Sequence, residues 1–145
     1  MSTESPPTPP RTGTGAGRVL VAVYAILAIA ATGRSVFQII DRFGEAPIAF
    51  SLSAVAAVVY VVATVALALG WRRVALATIC FELAGVLLIG TISVLAPALL
   101  GLDSLDPFGR QATVWSAFGA GYLLVPLVLP VLGLLWLRRR GLVRA

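Results

Sequence analysis

The chain has 145 residues, of which 59% are hydrophobic and 12% are charged, and its formal net charge is +5. Ordinary soluble domains have about 45–50% apolar and about 25% charged residues, so this composition excludes a soluble globular fold of this size. All basic residues are arginine, and the sequence contains no lysine, histidine or asparagine. Because the arginines separate apolar runs and do not form one face, they indicate a membrane protein and not a nucleic-acid-binding one.

The N-terminal segment, MSTESPPTPPRTGTGAG, is rich in proline, threonine, glycine and serine. Such a segment cannot bury enough surface to offset its ordering entropy, so residues 1–17 are predicted to be a disordered cytoplasmic tail. The apolar segment at about residues 19–40 is predicted to be the first membrane span. Alanine recurs in it every third residue from Ala22 to Ala31, which favours close helix packing. A signal peptide cleaved near Ala30 is the alternative, disfavoured because apolar residues continue to Ile40.

Three further apolar segments follow, at about residues 48–69, 74–95 and 117–137. Each is long enough to cross a hydrocarbon core of ~30 Å at ~1.5 Å per residue. Pro126 and Pro130 are predicted to kink the fourth segment. Asp106 and Pro107, in the connection before it, have the spacing of a cap and first residue of a short interfacial helix.

The arginine distribution predicts the orientation. With four spans, the N-terminus, the turn at Trp71 and the C-terminus lie on one side, and most of the eleven basic residues lie there too. Excess arginine marks the cytoplasmic side, and Trp71, Trp115 and Trp136 fall at span ends, where indole rings prefer to lie. The predicted fold is therefore an all-α polytopic protein of the plasma membrane. Its four transmembrane helices form a compact bundle over residues 18–140, and both termini, including a tail at 141–145, are cytoplasmic.

No catalytic constellation is present in the sequence. Without histidine or lysine, a nucleophilic serine has no ordinary base, and no phosphate-binding glycine loop is found. The acidic residues of the outer connections, Asp41, Glu45, Asp103 and Asp106, are interleaved with arginine and match no cation-binding loop, so turn and capping roles are predicted for them. We therefore expect no enzyme activity, no cofactor and no metal site.

Among the residues of the predicted spans, Glu82 has the position with the largest free-energy cost of membrane insertion. It lies about 12 Å from Val74 along the third span, where inserting an acidic residue costs roughly 2.5–3.5 kcal/mol. It is therefore predicted to face the bundle interior and to be paired there. The candidate polar site comprises Glu82, Arg34, Tyr24, Tyr60, Thr64 and Thr78. A tyrosine or threonine partner, preferred because its depth brackets that of Glu82, fits a neutral carboxyl group, whereas Arg34 fits an ionised one and must reach further along the membrane normal.

Arginines at the cytoplasmic span ends are candidate contacts for anionic lipids or anchors of topology: Arg72, Arg73, Arg138, Arg139 and Arg140.

Two stretches carry a resemblance to a known group. The block from Trp115 to Arg140, with V-P-L-V-L-P and L-W-L-R-R-R, and the F-E-L-A-G sequence at Phe81–Gly85 resemble small four-span integral membrane proteins of actinobacteria. The resemblance implies a four-span membrane fold and no particular activity. Small multidrug-resistance transporters also have four spans and a membrane carboxylate, but theirs lies in the first span and Glu82 lies in the third.

We therefore expect a non-enzymatic accessory or scaffold subunit. Its partners would be the lipid bilayer and either further copies of itself or other membrane proteins, and not nucleic acid. The alternative is an oligomeric proton- or cation-coupled small carrier that uses the intramembrane carboxylate Glu82.

Overall fold

The computed structural model describes residues 14–100 and 113–143. Within these ranges the chain forms four α-helices and no β-strand: α1 (Thr14–Asp41), α2 (Pro47–Leu69), α3 (Arg72–Leu95) and α4 (Val125–Val143). Short 3₁₀ segments lie between α3 and α4, at Pro97–Leu100 and Ser116–Tyr122. The predicted all-α class is thus confirmed over the part of the chain that is described.

Three helices, α1, α2 and α3, are long and apolar enough to cross a membrane. Their outward surfaces are also apolar: Ile29 is 75% exposed and Leu88 is 61% exposed. Water disfavours so large an apolar surface, whereas lipid accepts it. These helices indicate a membrane protein with three spanning elements, or four if α4 and the segment before it form one broken span.

The fourth apolar segment is not the single helix expected over residues 117–137. Ser116–Tyr122 and the helix that begins at Val125 are bent by 97° relative to each other. Leu123 and Leu124, at the bend, have left-handed φ angles of 56° and 62°, a conformation that costs L-residues about 1–2 kcal/mol each. The break therefore precedes Pro126, which occupies the first turn of α4, where proline is tolerated. Residues 113–124 are called the bent segment below.

Helix α3 is the centre of the packing, because it contacts α2, α4 and the bent segment. Helix α1 packs mainly along α2, and Ala28 and Ala31 of its alanine repeat are buried there, while Ala22 stays exposed. Helices α1 and α4 have few contacts with each other, and a groove separates them.

The turn between α1 and α2 is closed by an ion pair between Arg42 and Glu45, with Nη2 and Oε2 2.6 Å apart. Helix α1 begins at Thr14, so residues 14–17, predicted to belong to the disordered tail, are helical. Asp103, and the interfacial helix predicted at Asp106, lie outside the described residues.

Candidate functional site

Glu82 lies on the inner face of α3, and its side chain is 0% exposed. About 15 Å of helix separates it from Arg72, at the start of α3. Its Oε2 atom accepts a hydrogen bond of 2.7 Å from the hydroxyl group of Tyr24, on α1. Among the described residues, the carboxyl group is thus paired with a neutral hydroxyl donor and not with a cation.

Gly133 of α4 lies close to the Tyr24 hydroxyl group that bonds to Glu82. A Cβ atom at Gly133 would lie 3.1 Å from Ile79 Cδ1 and 3.6 Å from the Tyr24 hydroxyl oxygen. On the other side the Tyr24 ring packs beside Tyr60 of α2, with ring centroids 6.2 Å apart. Side chains or backbone from all four helices therefore meet around the Glu82 carboxyl group.

Trp115, on the bent segment, covers the same region. Its ring packs onto Gly85, where an added Cβ atom would lie 2.8 Å from Cζ3 of the indole. It is 2% exposed and its indole lies beside the Tyr60 hydroxyl group. The interfacial position expected for Trp115 is thus corrected: it is a core residue, because Gly85 leaves room for its indole on the face of α3 that carries Glu82.

Three buried polar atoms at this point have no hydrogen-bond partner among the described residues: Glu82 Oε1, Tyr60 Oη and Trp115 Nε1. Tyr60 lies close to both of the other two side chains, so the three atoms belong to one region. Buried polar groups are nearly always paired, since each unpaired one costs about 1–3 kcal/mol. Glu82, Tyr24, Tyr60 and Trp115, called the Glu82 cluster below, thus bring a carboxyl oxygen, a hydroxyl group and an indole N–H close together without full hydrogen-bond geometry between them.

The other predicted site residues make no hydrogen bond to this cluster within the described part of the chain. Thr64 and Thr78 each donate a hydrogen bond to a backbone carbonyl one turn earlier in their own helices, at 2.6 Å and 2.9 Å respectively. The guanidinium of Arg34 lies 5.8 Å from the centroid of the Tyr122 ring, and the described residues show no ion pair between Arg34 and Glu82. The sequence left open a hydroxyl or an arginine partner for Glu82, and in the structure the partner is the hydroxyl group of Tyr24.

The bent segment is held to α3 by a serine. Ser93 Oγ accepts a hydrogen bond of 2.8 Å from the Ala117 N–H and donates one of 2.8 Å to the Gly90 carbonyl. Ala117 and Phe118 have left-handed φ angles of 48° and 59°. Irregular backbone at membrane depth is tolerated only where protein satisfies its polar groups, and Ser93 does so here.

The predicted arginine anchors all lie at the end of the helices where α2 meets α3. The exposed residues of this set are Arg72, Arg73, Arg138, Arg139 and Arg140. The guanidinium of Arg140 stacks on the Trp136 ring, 4.4 Å from its centroid. The described residues at this end include no carboxylate, so within the described part of the chain the arginines form a positive rim.

Comparison with protein-family models, with curated proteins and with solved structures gave no match. Function is therefore inferred from the geometry of the Glu82 cluster.

Proposed function

We propose that this protein is a small multi-pass protein of the plasma membrane, with both termini cytoplasmic, and that it is a proton-coupled carrier in which Glu82 binds the proton. One observation carries the proposal: among the described residues, a fully buried carboxyl group is bonded to a tyrosine and to no cation, and the unpaired hydroxyl group of a second tyrosine lies close to it. Ionisable side chains inside membrane spans are rare, and they commonly mark proton and ion pathways.

The carboxyl group and its neighbours suggest how such a site works. Burying an ionised carboxylate without a cation costs far more than burying the neutral acid, so Glu82 rests with its proton. Tyr24 then donates to Oε2, which leaves the carboxylic proton on Oε1, and the Tyr60 hydroxyl group lies close to both the carboxyl group and Trp115. Three donors in one place suit a substrate with a hydrogen-bond acceptor. When the cluster opens to water and the proton passes to a water molecule, Oε1 becomes an acceptor only, and that substrate is released.

The broken fourth element supports the same proposal. Carriers often build sites near the middle of the bilayer from discontinuous helices, because irregular backbone can rearrange there. Trp115 belongs to the bent segment, which joins α4 through the left-handed residues Leu123 and Leu124. A rotation at that joint would withdraw the indole from Gly85 and open Glu82 to one side of the membrane.

The accessory or scaffold role has less support. It depended on small-residue faces that a partner helix could approach. In the described part of the chain, Ala28 and Ala31 are buried inside the protomer, and Gly119 is covered by Pro126, whose Cδ would lie 2.7 Å from an added Cβ. Part of each face is thus used within the chain itself, whereas Ala22 and Gly121 remain exposed.

The proposal is tested with purified protein in proteoliposomes. A panel of small polar compounds is applied under a pH gradient, and charge movement is recorded on a solid-supported membrane. Wild-type protein and the exposed-turn control Glu45→Gln should give a transient current with at least one compound, and folded Glu82→Gln should give none. A current of wild-type size in Glu82→Gln would contradict the proposal. Silence of every variant, combined with a co-purifying membrane partner, would favour the scaffold role.

A further inference from the structure

A groove of about 590 Å³ runs between α1 and α4 and opens outward from the helices. Its walls are apolar and include Val19 and Val23 of α1 and Val128 and Leu132 of α4. Val19 is 63% exposed and Leu132 is 50% exposed, so the described residues leave much of both side chains uncovered. A membrane-facing groove of this kind is filled by something apolar.

The length of the groove matches one leaflet of a bilayer. From Val125 to Trp136, which both line it, the rise along α4 is about 16 Å. Half of a hydrocarbon core of ~30 Å is about 15 Å. Arg139, which also lines the groove, lies one helical turn beyond Trp136. Its guanidinium is therefore at the depth of the lipid headgroups when the groove holds acyl chains.

The charge at this end selects the class of lipid. Arg18 and Arg140 line the neighbouring cavity, which shares Trp136 with the groove. No carboxylate of the described residues lies at this end to neutralise them. We infer that the α1–α4 groove binds one anionic phospholipid, with its acyl chains between the two helices and its phosphate at Arg139. This inference does not depend on the carrier proposal.

A second copy of the chain fits the groove less well. Copies inserted in the same orientation would bring Arg139 and its neighbours together across a parallel interface. Like charges placed opposite each other are repulsive, and the described residues at that end provide no acid to pair with them. A phospholipid with a negative headgroup supplies the missing charge.

The test is native mass spectrometry of protein reconstituted with equal amounts of phosphatidylglycerol and phosphatidylcholine. Wild-type protein should retain one phosphatidylglycerol in preference to phosphatidylcholine. Arg139→Gln should lower that retention about fivefold, the factor that one arginine near an anionic surface supplies, and Arg42→Gln, in the turn at the other end of α1 and outside the groove, should not. Leu132→Trp should block the groove, whereas Val131→Trp, the adjacent exposed position outside it, should leave retention unchanged.

Two results would overturn the inference. The first is that the wild type retains both lipids equally, or that Arg139→Gln and Leu132→Trp each retain as much phosphatidylglycerol as the wild type. The other is a lipid-free dimer that Leu132→Trp dissociates, since it would identify a second copy as the occupant.

Discussion

Gly85→Ala is expected to destabilise the protein by about 1–2 kcal/mol. The added Cβ atom would lie 2.8 Å from Cζ3 of Trp115 and 2.9 Å from both Cε3 and Cη2, so the indole or α3 has to move. Overpacking a core costs typically about 1–3 kcal/mol. The upper part of that range applies because Trp115 is 2% exposed and three of its ring atoms are too close. The higher helix propensity of alanine offsets ~1 kcal/mol of this overpacking cost.

The assay is reversible unfolding in mixed micelles, with tryptophan emission as a second readout because the indole is displaced. Gly33→Ala is the matched control: it lies in α1, and nothing lies within 4 Å of its added Cβ, so it should be neutral or stabilising by up to ~1 kcal/mol. Trp115→Phe in the Gly85→Ala background should recover part of the loss, because the smaller ring leaves room for the methyl group. Equal stability of Gly85→Ala and Gly33→Ala would refute the packing of Trp115 on α3 and remove it from the Glu82 cluster.

Three further predictions follow from the same contacts. The free energy of unfolding of Glu82→Gln should be within about 1 kcal/mol of the wild-type value, because the amide oxygen still accepts the tyrosine hydrogen bond and no charge is left unpaired. Adding Arg34→Met to Glu82→Gln should not raise that free energy. A marked increase would show that Arg34 and Glu82 form an ion pair. Ser93→Ala should lower the free energy of unfolding by about 1–3 kcal/mol, because a backbone N–H of the bent segment loses its acceptor. Thr91→Val, which loses only a bond within its own helix, should change it by less than half as much. A fluorescent protein fused at Ala145 should fold in the cytoplasm, and a fusion active only outside it would reverse the proposed orientation.

Simple depth counting from the sequence brought Tyr24 and Tyr60 into the candidate set around Glu82. The count succeeds because membrane helices are regular and nearly parallel to one another, so the rise per residue gives depth directly. The hydrogen bond between Tyr24 and Glu82 follows from that depth together with the cost of burying an unpaired carboxyl group. Thr64 has a similar depth, but its hydroxyl group bonds its own backbone, a competition that sequence spacing does not resolve.

The bend before α4 and the burial of Trp115 were not predictable in this way. Leu123 and Leu124 carry the left-handed backbone, and leucine gives no signal for such a conformation, whereas the nearby prolines directed attention to a later position. The bend is fixed by tertiary contacts from α3, namely Ser93 with the Ala117 N–H, and Gly85 with the indole of Trp115. Gly85, one turn after Glu82, was the feature of the sequence that could have indicated a large side chain packed against α3 at this position.

Under the proposed carrier function, Glu82 carries a proton inside the membrane and exchanges it during transport. Dicyclohexylcarbodiimide, an apolar reagent that modifies protonated carboxyl groups, tests this in intact membranes, with the modified peptide identified by mass spectrometry. The side chain is 0% exposed in the resting fold, so modification requires both a proton on Glu82 and a transient opening of the cluster. We expect Glu82 to be modified in folded protein, the modification to decrease as pH rises because the reagent takes the protonated acid, and Trp115→Phe to accelerate it. If Glu82 is modified only after the protein is unfolded, the carboxyl group is a sealed structural element and the carrier proposal is contradicted.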